Sequence, residues 1–207
     1  MVQLPLAEIK NIIFVFRPLV MEQVRQFIRD NDYEGFEKAL QGEPELAAKP
    51  DEAGWTPLHV SASLGRLAFV RALLDTFAIN PNQQTNGGQT ALHYAASKGH
   101  LEVCQFLLSN SNTMLLKDKQ GWTPAYRAVT AGRPDILSCL LSASNNIKHI
   151  DDRDAEGNTL LHVAVQEGSG SCVKLLRELG ASVDTRNQKG KLPIDYATSS
   201  DMRDLLR

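Results

Sequence analysis

The sequence predicts an all-α solenoid, a stack of helix–turn–helix units with projecting β-hairpin loops. Three observations carry that prediction. A six-residue phrase recurs five times, it returns at intervals near 33 residues, and each interval holds two amphipathic patterns parted by a small residue. A fixed period of this length means units that each touch only their neighbours along the chain.

The phrases are GWTPLH at 54–59, GQTALH at 88–93, GWTPAY at 121–126, GNTLLH at 157–162 and GKLPID at 190–195. Their glycines stand 34, 33, 36 and 33 residues apart. Each letter has a physical use. Glycine supplies the left-handed backbone of a tight turn. Threonine caps the first helix, and proline at the first helical position needs no amide hydrogen there. Gly65, Gly99, Gly132 and Gly168 then break the chain into a helix–helix turn. The second helices carry apolar residues three and four apart, as in Val70, Leu73 and Leu74, or Val103, Phe106, Leu107 and Leu108.

Residues 20–50 read as a degenerate first unit with Asn31, Asp32 and Tyr33 at its turn; Val24, Phe27 and Ile28 precede the turn and Phe36, Ala39 and Leu40 follow it. Full units are expected over 51–84, 85–117, 118–153 and 154–186, and a short cap over 187–207 with Met202, Leu205 and Leu206. The three additional residues of the 36-residue interval belong to the loop around Ser142–His149, where insertions cost little. Residues 1–19 are expected to be an irregular N-terminal segment.

Composition adds exclusions. Hydrophobic residues make up 43% and charged residues 22% of the 207, as in folded proteins. The formal net charge of -2 gives no general pull towards nucleic acid or an anionic membrane. The most apolar stretch, Ile12 to Met21, is far short of the roughly 20 residues that cross a bilayer, and Arg17 and Pro18 interrupt it. Three widely spaced cysteines, Cys104, Cys139 and Cys172, fit a reducing interior, cytosol or nucleus.

Suggestive chemistry has a scaffold explanation in each case. His59, His93 and His162 hold one repeat position, where imidazole bonds backbone between adjacent turns; Tyr126 breaks any metal ladder. The three cysteines fall in second helices and read as small hydrophobes. Asp151, Asp152, Arg153 and Asp154 lack the glycine and glutamate of a calcium loop and read as a solvated tip. The Gly168–Gly170 turn lacks the GxxxxGK[ST] of a phosphate loop. The expectation is a protein without catalytic residues, cofactor or metal, whose work is to hold a protein partner and which is a monomer on its own.

A partner would meet the loop tips and the concave wall made by the first helices. The residues expected there are Glu52, Trp55, Ser63, Gln89, Ser97, Lys98, Lys119, Trp122, Glu156, Asn158, Glu167 and Lys189. Trp55 and Trp122 are the chain's two tryptophans and share one tip position. Each either carries binding energy, as exposed tryptophans often do, or lies across the neighbouring hairpin as scaffold. Mixed charge along the row suits a partner surface of mixed charge rather than a polyanion.

A period of about 33 residues with the Thr-Pro-Leu-His phrase identifies the units as ankyrin repeats. Three longer segments, Asp51–Arg66, Gln89–Lys98 and Asp154–His162 with Gly180–Val183, resemble the gankyrin family, ankyrin-repeat chaperones of the proteasome regulatory particle. The stretch Tyr33–Ala48 is similar to that family's first repeat. The resemblance implies a chaperone that grips the C-terminal domain of a proteasomal ATPase subunit through its concave face, largely by charge pairs. Two departures stand against a full transfer. The chain is one repeat short between residues 48 and 51, and the family's Leu-x-Cys-x-Glu element for retinoblastoma-protein binding is replaced by Val163, Val165 and Glu167.

Overall fold

A computed structural model describes residues 22–143 and 148–207. The segment expected to be irregular over 1–19 lies outside the described residues, as does the centre of the loop around Ser142–His149. The first unit pairs α1 (residues 22–30) with α2 (Tyr33–Gly42), followed by a 3-10 turn over Pro44–Ala48. Four helix pairs follow. They are α3 (Pro57–Ser63) with α4 (Leu67–Arg71), α5 (Ala91–Lys98) with α6 (Leu101–Ser109), α7 (Pro124–Thr130) with α8 (Pro134–Ser142), and α9 (Leu160–Gln166) with α10 (Gly170–Glu178). A 3-10 turn over Pro193–Tyr196 and α11 (Ser200–Asp204) complete the described chain.

Stacking follows the chain. Helices α3, α5, α7 and α9 pack each on the next, and so do α4, α6, α8 and α10. A pair of helices this short leaves one apolar side open, and only the next pair covers it. The core is therefore one column, running from Val24, Ile28 and Phe36 through Leu73, Leu107 and Leu140 to Leu176 and Met202. Phe36 meets Phe69 edge-on with ring centroids 4.9 Å apart, sealing the first unit onto the second. Cys104 and Cys172 are buried and Cys139 half-buried, all as free thiols; burial pushes the Cys104 thiol up to about 12.

The two departures from a 33-residue period fall in different places. Gly65 and Ala78 flank the second helix of the first full unit thirteen residues apart, whereas Gly168 and Gly180 flank α10 twelve apart. The additional residue is taken into a π-helical turn over Ala72–Thr76, which continues α4. Ala78 then stands with a φ of 50°, where Gly180 stands with a φ of 87°. In the 36-residue interval α8 ends ten residues after Gly132, as α6 ends ten after Gly99, so that insertion lies beyond Ser142.

The projecting loops are tight turns that read each other in sequence. Asn86 donates its amide to the Ala53 carbonyl, Lys119 to Gly87, Ala155 to Gln120 and Gln188 to Glu156, all within 3.0–3.2 Å. Each tip gives its neighbour a single bond of this kind, too little for a ladder, and among the described residues no β-strand forms. Glycine is required here by both conformation and space. Gly54 has a φ of 82°, and a Cβ on it would lie 2.7 Å from the Asn86 amide nitrogen.

Candidate protein-binding surface

Five equivalent carbonyls define the spacing of the surface. Each tip ends at a residue whose C=O points back to the preceding unit, and a side chain of that unit donates to it. His59 Nε2 lies 3.2 Å from Gln89 O, His93 Nε2 2.9 Å from Trp122 O, and His162 Nε2 3.0 Å from Lys191 O. The other ring nitrogen accepts from the amides of Thr56, Thr90 and Thr159, which fixes Nδ1 without a proton and Nε2 with one. One neutral imidazole thus caps its own helix and ties down the next tip. Burial lowers all three pKa values, His59 to about 4.

Two junctions use other chemistry. The Tyr126 hydroxyl lies 2.6 Å from Asp152 O and 2.8 Å from Asn158 O and has one proton to share between them, and burial raises its pKa. At the first junction Arg25 Nη2 donates to Trp55 O at 2.9 Å and Lys49 O at 3.4 Å. Arg25 stands six residues before Asn31, whose φ is 60°, as His59 stands six before Gly65. Arg25 is hidden in the sequence because the position recurs there without its histidine.

The tips are held rigid from inside. Asp51, Asp118 and Asp154 each accept two amides of their own turn through Oδ1, at 2.8–3.0 Å, and Asn187 does the same. Asp154, read from the sequence as part of a solvated tip, is therefore the anchor of its turn. Burial alone would raise the Asp118 carboxyl, but hydrogen bonds from Arg127 and from the Trp122 and Gln120 amides hold it below the ordinary range.

Three clefts lie along the angle between the tips and the first helices. The first, of about 360 Å³, is bounded by Arg25, Arg29, Asp51, Trp55 and Leu64. The second, about 200 Å³, is lined by Gln89, His93, Tyr94, Ser97 and Arg127. The third, about 270 Å³, is framed by Gln120, Trp122, Glu156, Gln166 and Glu167. Trp55 and Ser63 thus meet in the first, Gln89 and Ser97 in the second, and Trp122, Glu156 and Glu167 in the third. Glu52, Lys98, Lys119 and Lys189 are exposed outside the clefts; Lys189 reaches Glu156 at 3.2 Å.

Asn158 also lines the third cleft but is not exposed as the sequence suggested. It is only 5% exposed, accepts from Asn187 Nδ2 at 2.8 Å and donates to Asp154, so its side chain belongs to the scaffold. The scaffold role expected of the tryptophans is present at both. Each is half-buried; Trp55 packs on Tyr94 with ring centroids 4.2 Å apart, and Trp122 Nε1 donates to Asp154 of the next tip at 3.1 Å. The Arg127 guanidinium lies 4.6 Å above the Trp122 ring. Val60, Tyr94, Arg127 and Val163 all line clefts, and all follow the ladder residue by one. Val60 and Val163 are buried at that position, whereas Tyr94 and Arg127 are half-buried.

Among the described residues no group of three or more His, Cys, Asp or Glu could hold a metal, and no helix is long and apolar enough to cross a membrane. Comparison with known proteins places the architecture. The family model for ankyrin repeats (3 copies) matches residues 24–118, 78–151 and 109–187. The chain is 34% identical over 157 residues to the probable 26S proteasome regulatory subunit p28 of Saccharomyces cerevisiae, covering 74% of this chain and 68% of that protein. It is 30% identical over 176 residues to the B-cell lymphoma 3 protein homolog of Mus musculus, and spans 39% of its length. One chain of the solved complex of the Bd0816 predatory endopeptidase from Bdellovibrio bacteriovorus with immunity protein Bd3460 shares the fold. Its TM-score is 0.79 at 24% identity, over 89% of this chain and 96% of that one. With a continuous column of stacked helix pairs, a side-chain ladder between tips and these matches, the chain belongs to the ankyrin-repeat family, whose members are protein-interaction modules.

Proposed function

We propose that the chain is an assembly chaperone of the proteasome regulatory particle that binds the C-terminal domain of one proteasomal ATPase subunit through the tips and clefts of its concave face. The observation that carries this reading is the match to a proteasome regulatory subunit over three quarters of the chain, of which this chain spans two thirds. The surface supports it physically. Its exposed charges alternate along the tips, from Glu52 through Lys119 and Glu156 to Lys189, and a row of that kind steers and registers a partner of complementary charge. The contact residues proposed are Glu52, Trp55, Ser63, Gln89, Ser97, Lys98, Lys119, Trp122, Glu156, Glu167 and Lys189. Chaperone and partner would meet in cytoplasm or nucleus, the chaperone as a monomer, with no cofactor and no catalytic step.

The test is a pull-down from cell extract read by mass spectrometry, comparing wild type with Lys98→Glu/Glu167→Lys. Both positions are exposed and outside the core, and circular dichroism verifies folding. Recovery of one proteasomal ATPase subunit, lost in the folded variant, supports the chaperone and its face together. Recovery of unrelated proteins without proteasome subunits sinks the chaperone reading and leaves an adaptor of another partner.

A further inference from the structure

The first cleft differs from the third in what lines it. Two guanidinium groups, Arg25 and Arg29, face it beside Leu64, which is 42% exposed, whereas Gln120, Glu156, Gln166 and Glu167 line the third. Arg25 is only 4% exposed, yet its donors are poorly met. Nη2 reaches two carbonyls, but Nη1 lies 3.8 Å from Glu22, Nε lies 4.0 Å from Asp51, and Nε is buried without a hydrogen-bond partner. A buried cation with weakly met donors is costly, and although Nε itself is sealed, a carboxylate at the Nη1 edge of the guanidinium plane is the group that relieves it. Asp51 is held back because its Oδ1 already accepts the Ala53 and Trp55 amides. Glu22 is 58% exposed and is shared with Arg29, 2.5 Å away. An incoming carboxylate therefore finds two arginines whose present partner sits in solvent.

We infer that this cleft is a subsite for a partner segment carrying a carboxylate beside a large apolar side chain. The acid meets Arg25 and Arg29, and the apolar group seats against Leu64, Val60 and the Trp55 indole. The cleft lies where Arg25 of α1 bonds the Trp55 and Lys49 carbonyls, a junction held by guanidinium in place of imidazole. This deepens the reading of the concave face as a protein-binding surface and rests on it.

A displayed library of random peptides, panned on the full chain and counter-selected on Arg29→Glu and Leu64→Asp, tests the subsite without any ATPase subunit. Both substituted side chains are partly in solvent, and circular dichroism establishes that the variants fold. The expected pool carries Asp or Glu within one helical turn of Leu, Phe or Met. Peptides made from it should bind the wild type and Glu167→Lys alike, and lose at least about tenfold in affinity on either cleft variant, the worth of one charge-assisted contact. Enrichment of basic or purely apolar peptides, equal binding to the variants, or no enrichment would overturn the subsite. Its failure separates from that of the chaperone reading. Selected peptides with no ATPase binding sink the chaperone alone, and ATPase binding untouched by Arg29→Glu and Leu64→Asp sinks the subsite alone.

Discussion

The first junction of the stack and the three histidine junctions solve one problem with opposite electrostatics. At each, a carbonyl at the end of a tip needs a donor from the preceding unit. Arg25 supplies it at Trp55 with a permanent charge, while His59, His93 and His162 supply it with a neutral ring. Imidazole does two jobs there, since its second nitrogen accepts a Thr amide of its own helix. Guanidinium has no acceptor and can do only one. The stack therefore requires a donor of the right reach rather than a histidine. The choice of donor decides what each junction can do besides: an arginine leaves charge to be met from outside, and an imidazole leaves a group that acid can break.

Acid gives the largest expected effect. The folded pKa of each ladder histidine is lowered, so protonation favours the unfolded chain. The stability each contributes is complete above its unfolded pKa near 6.5 and is lost as pH falls from there towards the folded value, about 4 for His59. The slope is at most about 1.4 kcal/mol per pH unit for each histidine. Urea denaturation at stepped pH should show that fall, and hydrogen exchange should place it at the amides of Thr56, Thr90 and Thr159. Equal loosening at the Arg25 and Tyr126 junctions would erase the distinction between the two kinds of junction.

Next in size is Trp122→Ala, expected to cost about 2 kcal/mol by loss of a half-buried indole and its bond to Asp154. A melting temperature unchanged by it would remove Trp122 from the scaffold. Tyr126→Phe is smaller, about 1–2 kcal/mol, because two carbonyls lose the one hydroxyl proton they share while the ring's packing stays. A stability equal to wild type would mean that water replaces the hydroxyl and that this junction needs no donor.

What the sequence made legible follows from how far each feature depends on neighbours. The five phrases and their spacing sufficed for the stacked pairs, since Gly, Thr and Pro act through local backbone. They also sufficed for the scaffold role of the histidines. Arg25 was hidden because the position persists while the residue type changes, and only its distance from Asn31 marks it. Asn158 looked exposed because its place in the turn is open at other tips; Asn187, 29 residues on, closes it here. The 34-residue interval is one residue longer than the 33-residue ones, and only helix geometry places that residue in the turn over Ala72–Thr76.

That turn leads to the smallest expected effect, which compares the second unit with the fifth. Ala78 and Gly180 occupy equivalent left-handed positions, with φ of 50° and 87°. A side chain there costs roughly 1–2 kcal/mol against the right-handed regions, whereas glycine adds freedom to the unfolded chain worth about 0.4–1 kcal/mol. The difference favours Ala78→Gly by up to about 1 kcal/mol, or roughly 2–4 °C in melting temperature for a chain of this size. Gly180→Ala should move the other way by a similar amount, because no atom lies within 4 Å of a Cβ built on it and only the backbone objects. Differential scanning calorimetry of both variants reads the pair together. If Gly180→Ala lowers the melting temperature while Ala78→Gly leaves it unchanged, the π-helical turn has already relaxed the alanine. The inserted residue is then accommodated without strain rather than tolerated at a cost.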